Sequence, residues 1–174
     1  MSKKLVIYDF DGTLFRSCDE VEGKRLYKEK TGISWPYRGW WGCIESLMPP
    51  LVPVLPGDEW YFCDVVSAQK KDDGYLVLMT GRLDIFRERV LELIENVGMR
   101  FDEIYFGKSN VKTFVMKCER IRDLLSRGKY SVLEIWEDRI EHIDGFVKLC
   151  RELKGELLES AIVHDVSSGK VIDI

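Results

Sequence analysis

Short apolar runs that alternate with amphipathic helical patterns restrict the fold of this chain more than any other feature of its sequence. Apolar residues with β-branched members predict buried strands at residues 5–8, 75–79, 103–106, 131–136 and 161–166, with a short sixth run at residues 171–174. Apolar side chains recur on one helical face over residues 83–97, 114–125 and 140–150. This alternation predicts an α/β fold, with a mostly parallel sheet and helices on both of its faces.

Residues 14–74 interrupt the alternation, and we interpret them as a small cap or loop insert within a single domain that spans residues 1–174. Residues 18–30 favour a helix with few apolar positions. Residues 31–58 contain all five prolines and three of the five tryptophans of the chain. Because proline interrupts the hydrogen bonding of both helices and strands, we predict a loop that is held by aromatic packing.

Composition argues against several classes of protein. The formal net charge of -4 at pH 7 argues against strong, unspecific binding to nucleic acid, although it permits a local basic patch. The five cysteines form no C-x-x-C pair, which argues against a zinc site and suits a reducing compartment. The first apolar run is too short for a signal peptide, and no stretch approaches a membrane span. We therefore expect an intracellular protein without a membrane partner, in the cytoplasm or alternatively in the nucleus.

Polar side chains follow three of the predicted strands at the point where each strand ends. Asp9 and Asp11 follow the first strand, and Thr80 follows the second. Glu137 and Asp138 follow the fourth. The carboxyl ends of parallel strands lie along the edge at which open α/β sheets bind ligands. Because several carboxylates held close together repel one another, and oxygen-only ligands suit Mg²⁺, we predict a magnesium site at this edge.

These residues also resemble the motifs of the haloacid dehalogenase (HAD) superfamily. DFDGT after a buried strand is similar to the first motif of that superfamily, Thr80 with Gly81 is similar to the second, and Glu137 with Asp138 is similar to the fourth. The resemblance implies a Rossmann-like HAD fold with a small cap or loop insert between the first and second motifs. It also implies a Mg²⁺-dependent hydrolase of phosphomonoesters.

The resemblance implies a role for each matched residue. Asp9 would be the nucleophile and would form an aspartyl-phosphate intermediate. Asp11 would protonate the leaving alcohol and would later deprotonate the attacking water. Thr80 would hydrogen-bond the phosphoryl group, and Gly81 and Arg82 beside it are candidate substrate-binding residues.

The metal ligands implied by the resemblance are the carboxylates of Asp9 and Asp138 and a main-chain carbonyl, expected at Asp11. Glu137 is a further candidate ligand. The alternative for Glu137 is that it holds Asp138 or Arg139 through hydrogen bonds, which leaves the metal role to Asp138.

The superfamily also requires a lysine that offsets charge between the nucleophile and the phosphate. Lys108, Lys112 and Lys117 are all candidates. Lys117 is favoured because it lies in the helix that leads to the fourth strand. Lys108 follows the third strand and is a candidate for substrate binding, and spacing alone leaves the choice among the three lysines open.

A narrower resemblance covers residues from about 75 to 150. The segments LVLMTGR, FDEIYFGK, TFVMK and IWEDRIEHIDGF resemble the HAD domain of Swiss Army Knife RNA repair proteins, and EDR-x-x-H is their most distinctive part. The WPYRGWW stretch suits the Trp-rich region of that family. The resemblance implies a phosphorylated RNA or DNA end as the substrate, and a small insert leaves the site open to such a bulky substrate.

Several of these residues also have structural interpretations. Packing is expected for at least two of Trp35, Trp40 and Trp41, and stacking on nucleic-acid bases is the alternative. Arg82 is either a solvated or ion-paired side chain or in contact with the substrate, and His142 is expected to be structural.

Two other functions remain open at this point. The chain is alternatively a phosphatase of a small metabolite or nucleotide, or a non-catalytic HAD-fold binding protein, since a fold alone does not imply activity. No protein partner is predictable from the sequence.

Overall fold

The computed structural model describes residues 3–174, which contain six strands and five α-helices. The strands are β1 (Lys3–Tyr8), β2 (Tyr75–Leu83), β3 (Glu103–Gly107), β4 (Tyr130–Glu137), β5 (Ser160–Asp165) and β6 (Lys170–Asp173). The helices are α1 (Glu20–Thr31), α2 (Cys63–Lys71), α3 (Arg87–Asn96), α4 (Thr113–Ser126) and α5 (Ile140–Leu153). Short 3₁₀-helices occur at Ile44–Leu47, Asp58–Trp60 and Asp84–Phe86. Across residues 3–174, every helix is too short or too polar to traverse a lipid bilayer.

All six strands form one sheet in the order β3-β2-β1-β4-β5-β6. The first five strands are parallel, and β6 pairs antiparallel with β5. The central strand β1 sets Ile7 opposite Val77 of β2 and opposite Ile135 of β4. The predicted α/β fold is therefore confirmed, and the carboxyl ends of the parallel strands meet at one edge.

The central strand is apolar on both faces because both faces are covered. Each of its last four residues is at most 1% exposed: Leu5, Val6, Ile7 and Tyr8. Val6 and Tyr8 pack in a core that includes α3 and part of the insert, whereas Leu5 and Ile7 pack in a second core with α4 and α5. Burial of each such side chain contributes about 1.5–3 kcal/mol, so this strand anchors both layers.

Strand β2 extends beyond its predicted end at residue 79. Its pairing with β3 becomes irregular after Met79 and resumes where Leu83 lies opposite Gly107. A Cβ atom at Gly107 would lie 2.4 Å from the Gly81 carbonyl oxygen, so a glycine is needed for this close approach. Thr80, Gly81 and Arg82 therefore belong to a strand, and the prediction that Thr80 follows the strand is wrong by several residues.

The proline-rich loop of the insert is held by aromatic packing, as predicted. Trp40 is 2% exposed and lies so close to α1 that a Cβ atom at Gly23 would be 1.9 Å from its ring. Its Nε1–H donates to the Cys18 carbonyl at 3.1 Å, and the Trp35 ring lies 4.8 Å from its own. The packing interpretation is therefore confirmed for Trp35 and Trp40.

Arg89 of α3 attaches the insert to the rest of the domain. Its guanidinium donates to the Leu47 carbonyl at 3.0 Å, the Pro53 carbonyl at 2.6 Å and the Val54 carbonyl at 3.0 Å. A proline-rich segment leaves its own carbonyls without a regular ladder of donors, and Arg89 satisfies three of them.

Helix α2 is the element that sequence analysis missed. Its buried residues are Val65, Val66 and Gln69. Two adjacent valines and a glutamine do not produce a helical period of apolar residues. The third buried position is polar, and the Gln69 amide is accommodated there by a hydrogen bond to the Arg100 carbonyl.

An ion network crosses one face of the sheet from β1 to β5. The Lys4 ammonium donates to Glu134 Oε2 at 3.0 Å and to Asp72 Oδ2 at 2.6 Å. The other Glu134 oxygen lies 2.7 Å from His164 Nε2. The hydrogen bond with His164, followed by the contact with Lys4, outweighs burial and lowers the pKa of Glu134 to about 2.

We predict that Glu134→Gln lowers the free energy of unfolding by about 1–3 kcal/mol at pH 7, because charged hydrogen bonds are lost. The folded-state pKa is below the unfolded value of about 4.3, so this contribution is complete above pH 4.3. It is lost as the pH falls through about 2. Urea unfolding at pH 7 and pH 3 measures the difference between the two proteins.

The exposed Glu159, replaced by glutamine, is the matched control and should change stability by less than about 0.5 kcal/mol. If Glu134→Gln lowered the free energy of unfolding as much at pH 3 as at pH 7, the proposed role of the ion network would be contradicted.

Candidate active site

The carboxyl ends of β1, β2 and β4 surround a cavity of about 600 Å³. Its volume lies within the range of about 300–1,000 Å³ that is typical of ligand sites. Its walls include the predicted site residues Asp9, Asp11, Gly81, Arg82, Lys117 and Asp138. The structure therefore brings residues from four separate parts of the chain to one cavity.

Asp9 lies directly after β1 and is held on both its backbone and its side chain. Its N–H donates to the Trp136 carbonyl of β4 at 3.0 Å. One oxygen of its carboxylate accepts from the Lys117 ammonium at 2.6 Å. Asp9 is only 7% exposed, so its carboxylate is fixed at the inner end of the cavity.

The Lys117 side chain is buried among carboxylates. It is 2% exposed, and its ammonium also donates to Glu137 Oε2 at 2.7 Å. Burial disfavours the charged ammonium, but Asp9 and Glu137 outweigh that effect and raise the pKa of Lys117. Lys117 is therefore cationic at neutral pH and lies against the predicted nucleophile.

Glu137, the last residue of β4, uses both of its oxygens in hydrogen bonds. Oε1 accepts from the backbone N–H groups of Asp138 at 3.2 Å and Arg139 at 3.3 Å. Oε2 accepts from Lys117 and lies 3.2 Å from His142 Nδ1. Although burial opposes it, the charge of Lys117 and the contact with His142 hold the pKa of Glu137 well below its usual range. The predicted hydrogen bonds to the two following residues are present. His142 contacts Glu137 and also lines the cavity, so its structural role stays a prediction.

Three carboxylates form a cluster whose geometry suits a cation. Asp9, Glu137 and Asp138 each offer an oxygen, and these atoms lie within 4.8 Å of one another. Burial raises the pKa of Asp9 well above its usual range; Lys117 opposes this shift and Glu137 adds to it. Burial, followed by the charge of Glu137, raises the pKa of Asp138 to about 7. Lys117 alone therefore does not neutralise the cluster, and a bound cation would relieve the remaining repulsion.

The turn after β1 is shaped to admit Asp138. Gly12 has φ of +74°, a conformation that favours glycine. A Cβ atom at Gly12 would lie 2.2 Å from Asp138 Oδ2, so a side chain here would displace the carboxylate. The glycine of DFDGT therefore creates the space for the acidic cluster.

The residues of β2 occupy the opposite wall. Thr80 is fully buried, and its hydroxyl accepts from the Arg82 N–H at 3.1 Å. Gly81 lines the cavity, and a Cβ atom there would lie 2.8 Å from Thr113 Oγ1. Thr113, the first residue of α4, thereby reaches the cavity wall.

Arg82 is paired with Asp11 in the structure. It is 1% exposed, and its Nε and Nη2 donate to the Asp11 carboxylate at 2.9 Å and 2.7 Å. Its Nη1 donates to Ser46 Oγ of the insert at 2.7 Å. The ion-paired alternative therefore describes its geometry, while a contact with substrate stays a prediction.

With this geometry established, comparison with known proteins gives the family. Residues 60–174, more than half of the chain, match the model of HAD domain family 1 in Swiss Army Knife RNA repair proteins. The chain belongs to this HAD family. The matched region begins at residue 60, within the insert, and extends to residue 174, so the DFDGT motif and the Trp-rich segment lie before it.

The chain is also similar to one curated protein and to one solved structure. The uncharacterized protein YMR265C of Saccharomyces cerevisiae (strain ATCC 204508 / S288c) is 24% identical over 166 residues, which cover 82% of this chain and 36% of the relative. The solved structure of the Pnkp1/Rnl/Hen1 complex contains a chain with a TM-score of 0.54 and 20% sequence identity. That likeness covers 95% of this chain and 45% of the other, and at this identity it shows the fold alone. This HAD domain thus spans less than half the length of each protein.

The three lysine candidates of this HAD domain occupy different environments. Lys117 contacts Asp9, whereas Lys108 and Lys112 are exposed and are absent from the described walls of the cavity. Lys108 follows β3, which β2 separates from β1, so the sheet order keeps it away from Asp9.

Sequence analysis of this HAD domain gave no cavity role to Ser17, Thr113 and Arg139, and it left Trp41 open between packing and base stacking. Trp41 and Arg139 are exposed at the mouth of the cavity, and the Trp41 ring lies 4.9 Å from the Arg82 guanidinium. Ser17 and Thr113 also line it. The sequence does not distinguish two adjacent tryptophans, and only the packing shows that Trp40 is buried whereas Trp41 is exposed.

We predict that Lys117→Met lowers the free energy of unfolding by about 3–5 kcal/mol at pH 8 without divalent cations. Removal of one partner from a buried ion pair leaves the opposing charges uncompensated. The matched control Lys108→Met changes an exposed lysine and should cost less than about 0.5 kcal/mol. Urea unfolding of both variants tests the prediction, and equal stabilities would show that the buried ammonium is dispensable.

Proposed function

We propose that this HAD domain is a Mg²⁺-dependent phosphomonoester hydrolase that acts through an aspartyl-phosphate at Asp9. Its family supports a phosphatase-like role. The observation that carries the proposal is the Asp9 carboxylate, held 2.6 Å from the Lys117 ammonium beside the carboxylate cluster. A carboxylate in this position has a cation to offset the charge of an approaching phosphate.

The residues present fit a Mg²⁺ ion. Asp9 and Asp138 supply carboxylate oxygens, and the carbonyl of Asp11 is the proposed third ligand. Glu137 is already engaged by Lys117, His142 and two backbone N–H groups, so we assign it the orientation of Asp138 in preference to direct ligation. A bound Mg²⁺ would reduce the repulsion between the nucleophile and the phosphate.

The proposed reaction has two balanced steps. In the first, an Asp9 oxygen attacks phosphorus, the bond to the leaving oxygen breaks, and Asp11 donates a proton to that oxygen. In the second, water attacks the aspartyl-phosphate, Asp11 takes a proton from the water, and inorganic phosphate and Asp9 are regenerated. Lys117 holds Asp9 in line, and we propose that Thr80 donates its hydroxyl hydrogen to the phosphoryl group, since its oxygen already accepts from Arg82.

We predict that Asp9→Asn lowers turnover of para-nitrophenyl phosphate by at least about 10³-fold, because an amide is a far weaker nucleophile. Phosphate release measures the loss, and circular dichroism establishes that the variant is folded. Chelation should also abolish wild-type turnover, and added Mg²⁺ should restore it. Full activity in folded Asp9→Asn protein, or in excess chelator, would refute the mechanism.

We further propose a phosphorylated nucleic-acid end as the substrate. The family is described from RNA repair proteins, which supports this class of substrate. At the mouth of the cavity, Trp41 is 47% exposed and Arg139 is exposed. Any base can stack on an aromatic face, and an exposed arginine can donate hydrogen bonds to a backbone phosphate. Trp40 and Trp35 are engaged in packing, so we assign the stacking role within the Trp-rich segment to Trp41.

We predict that Trp41→Ala lowers kcat/KM for an oligonucleotide with a terminal phosphate about 10-fold, as expected when one base loses its stacking partner. Glycerol phosphate has a similar alkyl leaving group but no base, so its kcat/KM should fall much less. Trp40→Ala is the control for the neighbouring position and should instead cost about 3–5 kcal/mol of stability.

Preference for glycerol phosphate over the oligonucleotide, or an equal effect of Trp41→Ala on both, would remove the nucleic-acid proposal. The hydrolase proposal would survive, because it depends on Asp9, Asp11 and Lys117.

A further inference from the structure

We infer that the insert contributes to catalysis through Ser46, which holds Arg82 against Asp11, so that Ser46 and Arg82 are positioning residues for the acid/base group. This inference rests on the proposed function and extends it. It assigns a role to the insert beyond covering the cavity, and it gives Arg82 a role other than substrate binding.

The contact between Arg82 and Asp11 fixes one oxygen of the carboxylate more than the other. Asp11 Oδ1 accepts from Nε at 3.1 Å and from Nη2 at 2.7 Å, whereas Oδ2 accepts only from Nε at 2.9 Å. The Asp11 side chain is 18% exposed and lines the cavity. Oδ2 therefore retains the capacity to exchange a proton with a substrate atom while Oδ1 anchors the group.

The guanidinium is in turn held by the insert. Its Nη1 donates to Ser46 Oγ at 2.7 Å, and the Ser46 hydroxyl donates to the Cys43 carbonyl at 2.7 Å. Ser46 is 2% exposed and lies on the 3₁₀-helix Ile44–Leu47. The hydroxyl has one hydrogen and uses it on Cys43, so its oxygen is oriented to accept from Arg82.

Aromatic rings enclose the same guanidinium. The Trp41 and Phe86 rings have their centroids 4.9 Å and 5.8 Å from its central carbon. At 1% exposure Arg82 cannot exchange its partners for water without moving the insert. Burial of the guanidinium costs desolvation energy, and its Nε and Nη2 are both engaged by the Asp11 carboxylate of the cavity wall. Because a bidentate pair fixes direction as well as distance, Arg82 positions Asp11.

Position matters most where proton transfer is most needed. In the first step Asp11 Oδ2 gives its proton to the leaving oxygen as the bond to phosphorus breaks, and a donor must lie about 2.6–3.2 Å from that oxygen. A displacement of about 1 Å costs on the order of 10²-fold in rate. A nitrophenolate leaves without being protonated, whereas an alkyl leaving group needs a proton on its oxygen as it leaves. Loss of the positioning contact should therefore act selectively on alkyl phosphates.

The test measures kcat and KM for a series of phosphate monoesters from para-nitrophenyl phosphate to alkyl phosphates, with Arg82→Lys and Ser46→Ala. We expect Arg82→Lys to lower kcat/KM, which reports the steps up to release of the leaving group, about 10²-fold for alkyl phosphates and far less for para-nitrophenyl phosphate. Ser46→Ala should show the same dependence on leaving group with a smaller loss. In an Asp11→Asn background, adding either change should cause no further loss, because the group being positioned is already disabled.

The control is Asn96→Ala, which loosens a distant part of the insert by removing the hydrogen bond from Nδ2 to the Pro56 carbonyl at 2.9 Å. It should lower the Tm without changing the dependence on leaving group. Ser46→Ala keeps the inference testable should Arg82→Lys fail to fold, as judged by circular dichroism and thermal unfolding.

The possible outcomes separate the inference from the proposed function. A uniform loss across the series, as expected if Arg82 bound the phosphate, would overturn the inference, as would additive losses in the Asp11→Asn background. If the wild-type protein hydrolyses no phosphomonoester, or does so without Asp9, the proposed function fails. If hydrolysis proceeds through Asp9 but the leaving group makes no difference to the variants, only the inference fails.

Discussion

The buried ammonium of Lys117 joins the helix α4 to the two strands that carry the acidic residues, and the arrangement of the cavity follows from it. Asp9 directly follows the central strand and Glu137 ends its neighbour, so the sheet itself brings two carboxylates together. Without a cation between them this pairing would be unfavourable. Lys117 contacts both at under 3 Å, and Glu137 then orients the backbone of Asp138 and Arg139. The charge of one side chain thereby organises the carboxylate cluster of Asp9, Glu137 and Asp138.

Arginines perform a comparable task for the insert. Arg89 donates hydrogen bonds to carbonyls of the proline-rich segment, and Arg82 links Ser46 to Asp11. Trp40 adds a large apolar contact against Gly23. Because these contacts replace the regular backbone hydrogen bonds that proline prevents, the insert has a defined position over the cavity. Its structure and the placement of Asp11 consequently depend on each other.

Sequence patterns located the elements with regular periods and missed those held by individual polar contacts. The strand β1 is a continuous apolar run buried on both faces, and its position was recognised directly. Helix α2 has too few apolar positions and is docked through Gln69. The end of β2 depends on Gly107 of another strand, which local sequence does not reveal. Predicted bounds therefore failed where a tertiary contact extended or created an element.

The sequence by itself determined the α/β class and placed Asp9, Asp11 and Asp138 at strand ends, because hydrophobic periodicity and chain order are local properties. The sequence favoured Lys117 but left the choice of lysine open, and the tertiary structure decided it, because α4 packs with the Lys117 ammonium against Asp9. The tertiary structure also separated the packed Trp40 from the exposed Trp41. The partner of Arg82 was likewise decided by folding, because Asp11 and Ser46 come from distant positions in the chain and meet only when the insert packs against the sheet.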